Sequence, residues 1–427
     1  MTTLTDQQQA GIEKIRNWYK SQQQGWGADV FRLFGPAGTG KTTMAKAIPV
    51  ALGLRDVRYG TFTGKAAHVL RGKGASPVST IHSGIYFPTT SEEAKQKLFD
   101  ARMNLGQAIK NIEKATLAGA PAQIINELND RGVALDLEIK ILEQEARRLA
   151  WEWNPDSQWA SAELIILDEV SMVGAKLAAD IERYGVPVLV LGDPAQLPPV
   201  EGGGYYTDAQ PDFLLTEIHR QALESPVLEL ATRTRLSTDR SLGLTTADTS
   251  PASVDAAMEA DQVLVWSNKR RWAMVTVMRR KLGFPEGKVV EGDRIMCLTN
   301  NKELAVFNGQ QFSVLDGGRL MDDEGHVREI PMYDDGFAGQ EMQQQAKNGG
   351  LGIRGSKMLA TFAQAITVHK AQGSEWPHVY VVNELPAMLA MVERREGAAA
   401  AITQARQWIY TATTRASDRV TVTAARR

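Results

Sequence analysis

An α/β fold, with parallel strands laid between helices in two similar halves, is what the sequence predicts, and three observations carry that prediction. Phe31–Phe34 is an apolar run that leads into the glycine-rich turn Gly35-Pro36-Ala37-Gly38-Thr39-Gly40-Lys41-Thr42-Thr43 and then a helix. Leu164–Leu167 and Val188–Leu191 are uninterrupted aliphatic runs with polar ends, as expected of strands covered on both faces of a parallel sheet. Beyond residue 260 the alternation starts again, with a strand over Val263–Trp266, a helix over Asn268–Leu282, strands over Thr361–Val368 and His378–Val382, and a helix over Gln404–Thr411.

Composition bounds the answer. The 427 residues are 43% hydrophobic and 23% charged, an ordinary globular balance that excludes extensive disorder and allows several cores. A net charge of −2 excludes a uniformly basic nucleic-acid binder, so an anionic partner must be held by a local groove. The single cysteine, Cys297, excludes an intramolecular disulfide and a multi-cysteine metal site, and suits a reducing compartment. No apolar run approaches the ~18 residues of a membrane span, and the first residues carry no secretory pattern. The expectation is a cytoplasmic protein of a bacterial or phage-infected cell, without a membrane partner.

Taken in order, Leu4–Gln9 opens a helix with Thr5 or Asp6 as its N-cap. Gln8 there either reads the edges of adenine with its amide or is a solvated polar cap. Gly35 to Thr42 satisfies G-x-x-x-x-G-K-[ST]. Its glycines let backbone amides crowd around a phosphate chain, and the following helix turns its positive end to the same phosphates. Lys41 is suited to the outer phosphates and the Thr42 hydroxyl to a Mg²⁺ that bridges them. Val57–Phe62 is a strand that delivers Thr63-Gly64-Lys65 to its carboxyl end, where a hydroxyl, a glycine and a lysine suit a backbone phosphate. Ser79–Ser83, with Thr80 and His82, is a polar turn or part of a site.

Residues 91–150 differ in kind. Leu135, Ile139, Leu142, Ala146, Leu149 and Trp153 recur at 4-3-4-3-4 spacing, Ala101, Leu105, Ala108, Ile112 and Ala115 keep the same rhythm, and Gly119-Ala120-Pro121 breaks between them. This predicts an antiparallel helical hairpin, either a packing arm or a docking site for a partner. The strand Leu164–Leu167 ends in Asp168, placed to hold Mg²⁺, and Glu169, placed to orient or deprotonate a water. Gln196, in the rigid loop Pro194–Pro199, is placed to sense a γ-phosphate. Of Lys269, Arg270, Arg271, Arg279, Arg280 and Lys281, half are expected to face a polyanion and half solvent. From Val289 to Met358 short alternating runs broken by Gly292, Gly309 and Gly317 predict a small antiparallel barrel.

The order of these motifs resembles the superfamily 1B DNA helicases of the RecD and Dda type. The resemblance runs through Leu4–Gln8, Gly35–Thr42, Thr63–Ala67, Thr80–His82, Leu167–Val173, Leu191–Val200, Leu215–Gln221, Ala365–Glu375 and Ile409–Ala416. It covers nearly the whole chain apart from 88–155. It implies tandem RecA-like P-loop domains at 1–205 and 206–427, with a helical or pin insertion at about 88–158 and an SH3-like β-barrel at about 289–358. It further implies an ATP- and Mg²⁺-dependent motor moving 5′→3′ on single-stranded DNA, unwinding forked duplex in replication, recombination or repair, and acting as a monomer. By match, Gln8, Gly35 to Thr43, His219 and Glu375 would bind the nucleotide. Lys41, Asp168, Glu169, Gln196 and the arginine fingers Arg220 and Arg415 would act in hydrolysis. Thr63, Gly64, Lys65, Thr80, His82, Thr367 and His369 would face DNA. The helical segment departs from the strand-splitting pin of relatives. This leaves two rivals: a translocase that remodels protein–DNA complexes without separating strands, and a nucleotide-gated clamp docking a replication or recombination protein through 91–150.

Overall fold

The computed structural model describes residues 4–25, 29–90, 92–147, 149–198, 204–217, 225–301, 303–323, 325–353 and 355–424. Two compact units emerge, one from residues 1–85, 155–347 and 351–427, the other from 86–154 and 348–350. The chain folds as two tandem RecA-like lobes, both within the first unit. Among the described residues no helix is long and apolar enough to cross a membrane.

The strands run in order from β1 (Val30–Phe34), β2 (Val57–Thr61) and β3 (Val78–Thr80), through β4 (Tyr86–Thr90) and β5 (Leu149–Trp153), to β6 (Leu164–Asp168), β7 (Val188–Gly192) and β8 (Phe213–Leu214). The first lobe is a parallel sheet in the order β3-β2-β6-β7-β1-β8. β6 and β7 are buried along their whole length, as their aliphatic runs require. Ile12 and Ile15 of the first helix pack with Leu33, Met44, Ile48, Ile166 and Leu189 in one core. β8 adds an edge strand beside β1 through Leu33↔Phe213, and Leu215 lies in the same core. The first lobe therefore reaches Leu215, beyond the boundary expected at 205.

The second lobe uses β9 (Thr249–Ser250), β10 (Gln262–Val265), β11 (Arg294–Cys297), β12 (Gln311–Val314), β13 (Leu320–Asp322), β14 (Val327–Arg328), β15 (Met332–Tyr333), β16 (Met358–Phe362), β17 (Ala365–Thr367), β18 (Trp376–Val381) and β19 (Ala416–Thr423). Its main sheet is parallel, in the order β17-β10-β18-β19-β9. Leu264, Ile366, Val379 and Val381 pack against Trp408 and Ile409 of the helix Ala398–Thr413. A second sheet, β14-β13-β12-β11-β16-β15, is the inserted β-module. It departs from a simple antiparallel barrel: β15 and β16 are parallel, and among the described residues the end strands β14 and β15 do not pair. It also extends to Phe362, so the run expected as one strand over Thr361–Val368 is divided between β16 and β17.

The basic residues of the helix Asn268–Lys281 divide differently from expectation. Arg279 is buried against Asp293 at 2.8 Å, Arg271 is buried and donates to Gln343 at 2.8 Å, and Lys281 pairs with Asp255. Arg271 and Arg279 are thus internal partners rather than a face for a polyanion, while Lys281 forms an exposed surface pair.

The second unit is a two-stranded antiparallel ribbon, β4 with β5, that carries the helices Glu92–Leu117 and Ala122–Arg147. Ala101, Ile139 and Leu142 are buried between them with Leu98 and Leu105 packed alongside, as the heptad spacing predicts. The stripe ends as helix before Leu149. Leu149 and Trp153 belong to β5, because that segment finds hydrogen-bonding partners in Thr90 and Tyr86.

Candidate nucleotide and nucleic-acid site

The phosphate loop leaves β1 beside β7 and is pinned there by the Gly35 N–H, which donates to the Gly192 carbonyl at 3.1 Å. Gly38 and Gly40 adopt φ of 82° and 79°, left-handed angles that glycine reaches without strain. The Lys41 ammonium donates to the carbonyls of Gly35 and Pro36 at 2.6 and 3.0 Å, lying across the mouth of its own loop. Thr42 heads the helix Lys41–Leu52, and its hydroxyl meets the Asp168 carboxylate at 3.3 Å.

Asp168 ends β6 and its second oxygen accepts from the Glu169 N–H at 2.9 Å. Glu169 has φ of 56°, an unusual angle for a side-chain-bearing residue and one that concentrates at functional positions. Burial pushes both carboxyls above their ordinary range. The Lys41 charge and hydrogen bonds pull Asp168 back, and the Arg415 charge does so for Glu169. Arg415 comes from the second lobe and lies 3.9 Å from Glu169. The residue is 6% exposed, and its guanidinium donates to the carbonyls of Thr411 at 3.3 Å and Ser374 at 3.2 Å. These groups line one cleft of about 320 Å³, together with Gly38, Gln196 and Glu375.

Gln8 is a correction to one of its two alternatives, the solvated cap. It is 2% exposed, its amide oxygen accepts from the Thr5 N–H at 3.1 Å, and its amide nitrogen donates to the Thr39 carbonyl at 3.0 Å. It is thus buried rather than solvated, and it clamps the phosphate loop to the capped start of the first helix. Arg220 and His219 lie outside the described residues.

The residues expected to face DNA fall into groups joined by the β-module. The Thr63 hydroxyl caps the helix Gly64–Gly72 by accepting from the Ala66 N–H at 3.1 Å. Gly64 lies under Phe307, whose Cβ would be 2.6 Å from any Cβ added there. Asn308, the next residue, accepts from the Lys370 ammonium at 2.9 Å, and burial lowers that lysine to about 8. One hairpin of the module thus touches both lobes where Thr63–Lys65 and Thr367–Lys370 sit. Lys65 pairs with Asp323 at 2.8 Å and lies over the Trp376 ring at 5.1 Å. Thr80 bonds Ser83, and the His82 ring stands edge-on to Phe62 at 6.0 Å. Thr367 ends β17, and burial lowers His369.

Sequence reasoning named the stretch around Asp193 but missed what it does. Asp193 and Leu197 bracket the Gln196 loop. The Asp193 carboxylate accepts from the Tyr410 hydroxyl at 2.6 Å, and that hydroxyl accepts from the Ala37 N–H at 3.1 Å. The Leu197 N–H donates to the Thr411 hydroxyl at 2.9 Å, its carbonyl accepts from Gln372 at 3.0 Å, and its side chain sits in the core of the second lobe. No local pattern signals bonds between residues so far apart in sequence.

Comparison with known proteins agrees with this construction. A family model described as an AAA domain matches residues 24–247, over half of the chain, and one described as a UvrD-like helicase C-terminal domain matches residues 362–423. The Pif1 helicase of Candida albicans is similar in structure at 16% identity, with a TM-score of 0.50, over 100% of this chain and 95% of that one. The Bacteroides Pif1 bound to ssDNA superposes with a TM-score of 0.48 at 17% identity, over 99% of this chain and 93% of that one. No curated protein matches the chain in sequence. The Candida albicans likeness shows the fold. The chain therefore belongs to the AAA-domain family, with that domain followed by a stretch that matches a UvrD-like helicase C-terminal domain.

Proposed function

We propose that this protein is an ATP-driven motor that moves 5′→3′ along single-stranded DNA and unwinds forked duplex ahead of it. The observation that carries this is the cleft in which Lys41, Thr42, Asp168 and Glu169 of one lobe meet Arg415 of the other, 3.9 Å from Glu169. A binding clamp has no use for a hydrolytic carboxylate facing a guanidinium.

The Thr42 hydroxyl and the Asp168 carboxylate, 3.3 Å apart, are hard oxygen donors of the kind Mg²⁺ prefers and would hold it together with phosphate oxygens. When bound, Mg²⁺ neutralises charge on the phosphates. Glu169 then takes the role of orienting the attacking water and accepting its proton. Arg415 stabilises charge on the transferred phosphoryl group, and Lys41 exchanges its loop carbonyls for the outer phosphates. Loss of the γ-phosphate removes what draws Arg415 of the second lobe and Gln196 of the first to a common point, so the lobes part. Alternating grip by the Thr63–Lys65 and Thr367–Lys370 surfaces makes each cycle a step. The match of residues 362–423 to a UvrD-like helicase C-terminal domain supports the substrate class.

Forked duplexes bearing only a 5′ or only a 3′ single-stranded tail test the reading. ATP-dependent strand separation is expected with the 5′ tail alone. Unwinding from the 3′ tail contradicts the polarity, and ATP hydrolysis with neither substrate unwound favours the remodelling translocase.

A further inference from the structure

We propose that Tyr410 is a positioning residue for ATP hydrolysis, linking the phosphate loop and the Gln196 loop to the helix that leads into Arg415. The proposal rests on the motor reading and names a residue of that same site. The tyrosine is 1% exposed and Asp193 is 4% exposed, so neither has solvent as an alternative partner. One hydroxyl makes two bonds of opposite sense: it accepts from the Ala37 N–H of the phosphate loop at 3.1 Å and donates to Asp193 at 2.6 Å.

The neighbouring Thr411 completes the link. Its hydroxyl accepts from the Leu197 N–H at 2.9 Å, and its carbonyl accepts from the Arg415 Nε at 3.3 Å. Gln196 therefore hangs between two anchor points, Asp193 and Leu197, that are held by consecutive residues of the helix Ala398–Thr413. A shift of the phosphate loop pulls on Tyr410. Because Thr411 lies next to it and holds Arg415, the shift reaches the finger through a path of hydrogen bonds rather than through a hinge. A hydroxyl that only satisfied a buried carboxylate would not also hold an amide of the phosphate loop.

Tyr410→Phe keeps the ring and removes both bonds. DNA-stimulated turnover is expected to fall about tenfold or more while the Kd for a fluorescent ATP analogue stays within about threefold. In the double variant Tyr410→Phe/Asp193→Asn, the two losses are expected to overlap rather than multiply, as for residues in one network. Turnover within about twofold of the unaltered chain overturns the proposal, and so do equal losses of turnover and affinity or a multiplicative double variant. Should Tyr410→Phe fail to fold, Asp193→Asn alone must show the same split between turnover and affinity, and its failure to do so overturns the proposal equally. Absence of hydrolysis in the unaltered chain brings down the motor reading itself, whereas hydrolysis there with an indifferent Tyr410→Phe brings down only this link.

Discussion

The Lys41 ammonium bonds the carbonyls of Gly35 and Pro36, so the cation assigned to the phosphates also braces the loop that would hold them. Lys41→Ala is expected to lower ATP hydrolysis by about 10²–10³-fold, the cost of losing one preorganised cationic donor. Thermal melting should move by only a few degrees, since no buried apolar contact is lost. Persistent turnover in that variant would refute the assignment. Away from the cleft, Arg233 holds the Asp248 carboxyl down to about 2, with Thr245 helping. A depressed acid stabilises the fold above its ordinary value of 3.8, and that contribution fades as pH falls through the lower value. The pair is partly exposed, so Asp248→Asn should cost about 0–1 kcal/mol near neutral pH. Denaturant unfolding of both chains should show the difference shrinking as pH drops from about 4 toward about 2; a difference that grows there would reverse the sign of the argument.

At the scale of elements, the Gln196 loop of the first lobe is a plug in the second. Leu197 is 4% exposed among Val227, Leu230 and Trp408. Leu197→Ala is expected to destabilise the protein by about 2–4 kcal/mol in denaturant unfolding; a change below about 0.5 kcal/mol would mean the loop does not pack as described. The elements themselves were legible where periodicity and burial agree. β6 and β7 are aliphatic runs because both faces are covered, and Ala101, Ile139 and Leu142 meet because their spacing places them on facing stripes. Legibility failed where distant pairing decides. Leu149–Trp153 continues a helical rhythm yet becomes strand because Tyr86–Thr90 offers it a ladder, and two-residue β8 has too short a pattern to announce itself. The candidate site divides in the same way. Gly35–Thr42, Asp168 and Glu169 are written as local motifs. Gln8 carried a local cue as well, but its burial against Thr39 depends on how the first helix docks. Tyr410 and Asp193 have no such cue, since their bond joins residues from opposite lobes.

At the scale of the whole molecule, the lobes of the proposed motor are two halves of one catalytic centre, each incomplete without the other. Gly373 shows how close they come in this structure: with φ of 75° it lies where a Cβ would stand 3.0 Å from Thr63 Oγ1 and 3.1 Å from Glu169 Oε2. In the proposed motor, such an approach would let a phosphate in one lobe govern the grip of both on a strand. The most direct test of that claim is DNA-stimulated hydrolysis by Arg415→Ala measured beside its affinity for a fluorescent ATP analogue. Turnover is expected to be lower by about 10³–10⁵-fold, as for other guanidinium groups acting on a transferred phosphoryl group, with affinity nearly unchanged. Equal losses of turnover and affinity, or turnover that survives without Arg415, would contradict it.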